Sequence, residues 1–141
     1  MIIQYEIETG KIMQAAYGAD DFWSEDQASG LEENCRAAKV DDNKNTAVLY
    51  YNETDKSLNA VSYFDIVASS DSVVADGSSY IEFTGIPEGS KVYVDESLIG
   101  EMDSSGTYRF SCTDVGAYSI LIKKFGYEWY YKGVSSYVDF Q

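Results

Sequence analysis

Histidine is missing from this 141-residue chain, proline occurs once, cysteine twice, and Lys plus Arg total 10 against 24 Asp plus Glu. Each shortage excludes something. Without histidine the chain lacks the usual general base, the commonest metal ligand and the side chain that changes charge near neutral pH. The formal net charge of −14 comes with no basic cluster. Nucleic-acid affinity rests on phosphate neutralisation by Lys and Arg, so DNA and RNA are not expected as partners. An anionic membrane surface is disfavoured for the same reason. Cys35 and Cys112 fall in different halves, so no disulfide framework is expected. No segment approaches about 20 consecutive apolar residues, so none is expected to span a bilayer. Residues 1–5 lead into acidic residues, not a basic leader and apolar run, so no signal peptide is expected.

What is present is apolar and tyrosine-rich. Hydrophobic residues make up 45% of the chain and thirteen residues are Tyr, enough for one ordinary domain or two small ones. Tyrosine buries a large ring while keeping a polar end, which suits both sheets and contact surfaces. Ile2, Ile3, Tyr5 and Ile7 open a strand, and a turn over 8–10 leads to a return strand around Ile12 and Met13, a short hairpin. Leu31, Cys35 and Ala38 share helical spacing, which predicts a helical turn or two within 31–40. A second hairpin is expected from 46–51 and 58–64 across the polar loop 52–56.

The composition shifts over 67–79 to small polar residues, which marks a linker between a domain at 1–66 and one at 80–141. Beyond it, turn signals separate about seven short strands. Ile81 and Phe83, Val92 and Val94, Leu98 and Ile99, Tyr108 and Phe110, Tyr118, Ile120 and Ile122, Trp129 and Tyr131, and Tyr137 and Val138 are their apolar members. Pro87, in Ile86-Pro87-Glu88-Gly89, sits at the second position of a turn. The expected fold class is mainly β: an N-terminal hairpin domain, with a short helical or irregular insert, followed by a C-terminal β-sandwich.

Residues of chemically capable types do not assemble into a site. Asp41, Asn43 and Asn45 have the one-three-five spacing of a calcium loop, yet Thr46 stands where that loop needs Gly and Asn52 where it needs Glu. A solvated turn is expected there. Adjacent acids such as Asp20–Asp21, Glu32–Glu33 and Asp95–Glu96 diverge on a strand or helix, so local geometry aims no pair at one metal. Two carboxylates could serve a glycosidase, but no pair stands out. The expectation is therefore no enzyme, no metal and no cofactor. In the run Tyr127-Glu128-Trp129-Tyr130-Tyr131, alternation that buries Tyr127, Trp129 and Tyr131 leaves Tyr130 and Glu128 outside. Those two, with the aromatic pair Phe22 and Trp23, form the candidate interaction surface.

The segment Asp114-Val115-Gly116-Ala117-Tyr118, leading into Ser119-Ile120-Leu121-Ile122, has the form of a corner in an immunoglobulin-like sandwich. Asp114 is expected to bond nearby amides, Gly116 to take dihedrals closed to other residues, and Tyr118 to return its hydroxyl to main chain. Gly85-Ile86-Pro87-Glu88-Gly89, followed by Val92-Tyr93-Val94-Asp95, resembles the opening of small β modules. With the corner and Lys124-Phe125-Gly126-Tyr127, it resembles the C-terminal Ig-like module of small tail-associated proteins of tailed bacteriophages. The opening Tyr5-Glu6-Ile7-Glu8-Thr9-Gly10-Lys11-Ile12 is similar to the hairpin with which many of those proteins begin. Gly126 stands where such modules often carry Pro, and 18–45 matches no pattern of theirs.

The resemblance implies a non-enzymatic virion component, on the tail, fibre, baseplate or head. It would be made in the host cytoplasm, sit at the outer surface or tail in multiple copies, and dock other virion proteins. A module binding host-surface glycan through Tyr130, Trp129 or Phe125, and a tail-fibre assembly chaperone, are the alternatives.

Overall fold

Alternation of apolar and polar residues with a period of two dominates the sequence, and the computed structural model is accordingly mainly β. It describes residues 2–16, 35–39 and 49–139. Those residues form thirteen strands and no helix. They divide into two compact units: one of Met1–Ser62 with Phe125–Glu128, the other of Tyr63–Lys124 with Trp129–Gln141.

In the first unit, β1 (Ile2–Glu6) lies between β2 (Ile12–Ala16) and β3 (Cys35–Lys39), antiparallel to both. β1 is the middle strand, and Ile3, Gln4, Tyr5 and Glu6 are all buried. The expected helical turn is replaced by β3. Cys35 and Ala38 are buried while Arg36 is exposed, and the strand pairs residue for residue with β1 from Glu6↔Cys35 to Ile2↔Lys39. Helical spacing among small residues is a weak local preference, and the non-local ladder overrides it. Leu31, the third member of that spacing, lies outside the described residues, as do Phe22, Trp23 and the Asp41–Asn45 loop.

The second hairpin is present as β4 (Leu49–Asn52) and β5 (Ser57–Ala60). Asn52 Oδ1 accepts the amides of Thr54 and Asp55 across its turn, the local bonding that makes Asn a turn residue. The two hairpins meet at Gly10, whose carbonyl accepts the Tyr51 amide at 2.8 Å. Gly10 has φ +76°, and a Cβ there would lie 2.4 Å from the Tyr51 carbonyl oxygen, so only glycine fits. The Tyr5 and Tyr51 rings pack at 4.6 Å.

The second unit holds eight of the thirteen strands. β6 (Val67–Ala68), β8 (Ile81–Thr84) and β11 (Thr107–Phe110) form a sheet in the order β11-β8-β6. β7 (Ser72–Val74), β9 (Lys91–Val94), β10 (Ser97–Glu101), β12 (Gly116–Lys123) and β13 (Tyr130–Tyr137) form another in the order β10-β9-β12-β13-β7. All pairings are antiparallel except β13 with β7. One core cluster draws on both sheets: Ile81, Phe83 and Phe110 from the first, Val73, Val92, Ile120, Ile122 and Val134 from the second. Inward side chains at alternate positions are how two stacked sheets share a core.

The segment 67–79, expected as a linker, supplies two of these strands. Its small polar residues conceal Val67–Ala68, which extends the first sheet, and Val73, which reaches the core from the second. Pro87 also differs in detail. The Ser90 amide and hydroxyl both donate to the Pro87 carbonyl, and Gly89 has φ +85°. Proline therefore opens a type II turn with glycine third.

Candidate interaction surface

The Asp114–Tyr118 corner is built from hydroxyls on one carbonyl. Tyr118 donates its O–H to the Asp114 carbonyl at 2.7 Å, and buried Ser136 donates to the same oxygen at 2.7 Å. The Gly116 amide donates in turn to Ser136 Oγ at 2.9 Å. Tyr118 is half-buried, its ring 5.1 Å from that of Phe110. Desolvation pushes its phenol above the ordinary value of 10.0. Two details differ from expectation. Gly116 is not among the positive-φ glycines, and a Cβ there would meet nothing within 4 Å. At Asp114 the main-chain carbonyl makes the anchoring contacts.

The expected phase of the last strand is inverted. Val134 and Ser136 are buried and Tyr130 and Lys132 half-buried, whereas Tyr131, Gly133, Ser135 and Tyr137 are exposed. Tyr130 packs against the core cluster, so it is no free platform, and desolvation raises its phenol pKa. Glu128 belongs to the other unit, where it pairs with Lys11. The alternation counted from Tyr127 fails because Tyr127 lies in an isolated bridge to Ser62 and residues 128–129 belong to no strand, so β13 starts afresh at Tyr130. Phase is set instead by Val134 entering the core. In the first unit Gly126 donates to the Thr9 carbonyl, and Phe125 packs edge-on to Tyr50 at 5.2 Å.

Tyr131 thereby joins a row that sequence reading did not single out. The register Leu98↔Tyr93, Tyr93↔Leu121, Leu121↔Tyr131 places these four side chains side by side on the face of the five-stranded sheet turned away from the core. Tyr131 is 68% and Leu98 56% exposed. On the same face Lys123 is nearly buried, its ammonium 4.3 Å from the Trp129 ring and 5.1 Å from that of Tyr93. Such cation–π stacking holds aromatic planes in place.

Beside Tyr131 lies an open trough of about 780 Å³ bordered by Asp71, Asp95, Ser119 and Gly133. Lys132 pairs with Asp71 at 2.7 Å, a bond that raises the lysine pKa.

The hairpin β9–β10 turns on Asp95 and Glu96, with φ +49° and +70°. This left-handed pair is uncommon without glycine. Asp95 is held there by Ser119: its Oδ1 accepts the Ser119 amide at 2.8 Å and its own amide donates to the Ser119 carbonyl at 2.9 Å.

Among the described residues no group of three or more His, Cys, Asp or Glu is placed to hold a metal ion, and no helix is long and apolar enough to cross a membrane. Neither Cys35 nor Cys112 is in a disulfide. Comparison finds no family model, no curated protein and no solved structure that matches the chain. The functional reading therefore rests on this face and on the resemblance of its motifs.

Proposed function

We propose that this chain is a structural or adaptor protein of a tailed-phage virion that works by docking other proteins against the outer face of its five-stranded sheet. In this reading the C-terminal unit is an immunoglobulin-like sandwich. The order β6-β8-β11 corresponds to strands A, B and E, and β10-β9-β12-β13-β7 to C′, C, F, G and a second part of A, with Tyr118 in the place of the tyrosine corner. The observation that carries the docking reading is the row Leu98–Tyr93–Leu121–Tyr131. A contiguous apolar and aromatic strip with exposed ends, on an otherwise strongly acidic chain, is the composition of an interface core. The net charge of −14 then selects cationic partner surfaces and speeds their approach.

Quantitative mass spectrometry of gradient-purified particles tests this reading. A docked component is present at a fixed multiple-copy ratio to the major virion proteins. Absence from finished particles but presence in assembly intermediates identifies a chaperone. Absence from both ends the virion reading.

A second reading draws on the trough. An exposed Tyr131 ring beside the carboxylates of Asp71 and Asp95 offers a stacking face and hydrogen-bond acceptors, the elements from which a glycan site is built. Binding of host-surface polysaccharide that vanishes in Tyr131→Ala favours it over protein docking.

A further inference from the structure

β10 is the end strand of its sheet, and all five of its residues are exposed. An end strand presents unpaired amides and carbonyls on its outer side, and proteins usually blunt such an edge with lysine, proline or a cover. β10, Ser-Leu-Ile-Gly-Glu, contains neither lysine nor proline. Leu98 is 56% and Ile99 49% exposed.

Behind the edge is a pocket of about 110 Å³ walled by Val92, Ile99, Met102 and Tyr108. Val92 belongs to the buried core, and Met102 and Tyr108 pack against it, so the pocket opens from the strand edge toward the sandwich interior. A cavity of roughly 150 Å³ holds a benzene ring, so this one admits a single aliphatic side chain. Ile99 is the residue skipped in the β9–β10 register, between Leu98↔Tyr93 and Gly100↔Val92. Such a bulge re-aims its side chain, here onto the pocket wall.

Charge identifies the occupant. Glu96, Glu101 and Asp103 flank the edge, and no Lys or Arg occurs from Val94 to Tyr108. Pairing two β10 edges from two copies would set these carboxylates against their duplicates in a chain already at −14, a repulsion that opposes self-association. An extended segment with lysine or arginine around an aliphatic residue meets both the acidic border and the apolar pocket.

We propose that the outer edge of β10, unpaired among the described residues, takes up such a basic, extended segment of a partner protein as a sixth strand of the sheet, with one aliphatic side chain seated behind Ile99. Main-chain hydrogen bonds then supply affinity and the pocket supplies selectivity. The proposal rests on the docking reading in that its ligand is a protein, and it adds which edge and which partner chemistry.

The test titrates isotopically labelled full-length chain with a short synthetic peptide alternating Lys with Val and Leu. Controls are the same peptide with Glu for Lys, and one N-methylated at alternate amides. Saturable shifts confined to the amides of 97–102 and the Val92 methyls are expected, with affinity falling about tenfold in Ile99→Lys and in Glu101→Lys. Both positions are exposed, so both variants should fold, and two-dimensional spectra check this. No binding, shifts scattered over the acidic surface, or equal binding of the N-methylated peptide overturns the proposal. So does a concentration-dependent dimer showing the same shifts without peptide.

Particle association of Ile99→Lys separates this proposal from the virion reading. If association is unchanged and peptide binding is absent, the docking reading stands and the β10 edge falls. If the peptide binds at the edge but the chain never joins a particle, the reverse holds.

Discussion

Replacing Tyr118 by Phe removes one oxygen and leaves the ring against Phe110. The bond lost is the 2.7 Å donation to the Asp114 carbonyl. That carbonyl keeps its second donor, Ser136 Oγ at 2.7 Å, so no acceptor is orphaned. The expected cost is that of an ordinary net hydrogen bond, about 1 kcal/mol. Ser136→Ala should cost more, about 2 kcal/mol, because Ser136 is buried and also accepts the Gly116 amide. The double variant strips both donors from Asp114 and should lose more than the sum of the singles, by roughly 0.5–1 kcal/mol. Truncating a core member such as Ile120 to Ala sets the scale, at about 2–5 kcal/mol. Urea unfolding followed by Trp129 emission, in a Trp23→Phe background, measures all four, with an unchanged slope showing that the unfolding reaction is the same. A Tyr118→Phe change that costs nothing, with additivity within about 0.3 kcal/mol, would refute the claim that this hydroxyl anchors the corner.

Other expectations follow from the same geometry. Glu96→Gly relieves a left-handed residue at the β9–β10 turn and should stabilise the second unit by about 1 kcal/mol, measured by the same unfolding assay. Burial pushes the Tyr5 phenol up to about 12 from 10.0. Its folded pKa is raised, so its contribution is fully present below pH 10 and is lost as pH rises through 12. Comparing alkaline absorbance titrations of the protein and Tyr5→Phe isolates that step, and a Tyr5 component titrating near pH 10 would contradict it. Asp76 accepts the amides of Ser79 and Ser78 and the Ser79 hydroxyl, which lower its pKa below 3.8. The stability this confers is present above pH 3.8 and is lost as pH falls through the depressed value. The Ser78 and Ser79 amide shifts should therefore titrate with a midpoint below 3.8.

Much of the second unit was legible because its strands are half-buried and alternate. Ile81 and Phe83, Val92 and Val94, and Ile120 and Ile122 each mark the core face directly. Local chemistry also exposed the Tyr118 corner and the Asn52 turn. What stayed hidden was decided at a distance. The buried residues of β3, Cys35 and Ala38, are small and spaced as on a helix, and only pairing with β1 makes the segment a strand. β7 has one core residue, Val73, among serines, so composition alone reads as linker. Leu98 and Ile99 carry the apolarity of a core strand, yet lie at a sheet edge that sequence order does not reveal. The outward row needed register: Tyr131 and Tyr130 are chemically alike, and one residue of phase exchanges a surface ring for a packed one.

The claim on which the account depends is that the outer face of the five-stranded sheet docks the chain to its particle. Tyr131→Ala tests it most directly, because an exposed ring contributes little to folding, within about 0.5 kcal/mol, whereas an interface aromatic dominates binding. Copy number in purified particles assembled with that variant should fall about tenfold while the free protein unfolds at the same urea concentration as the parent. Full occupancy of Tyr131→Ala in those particles would contradict the account.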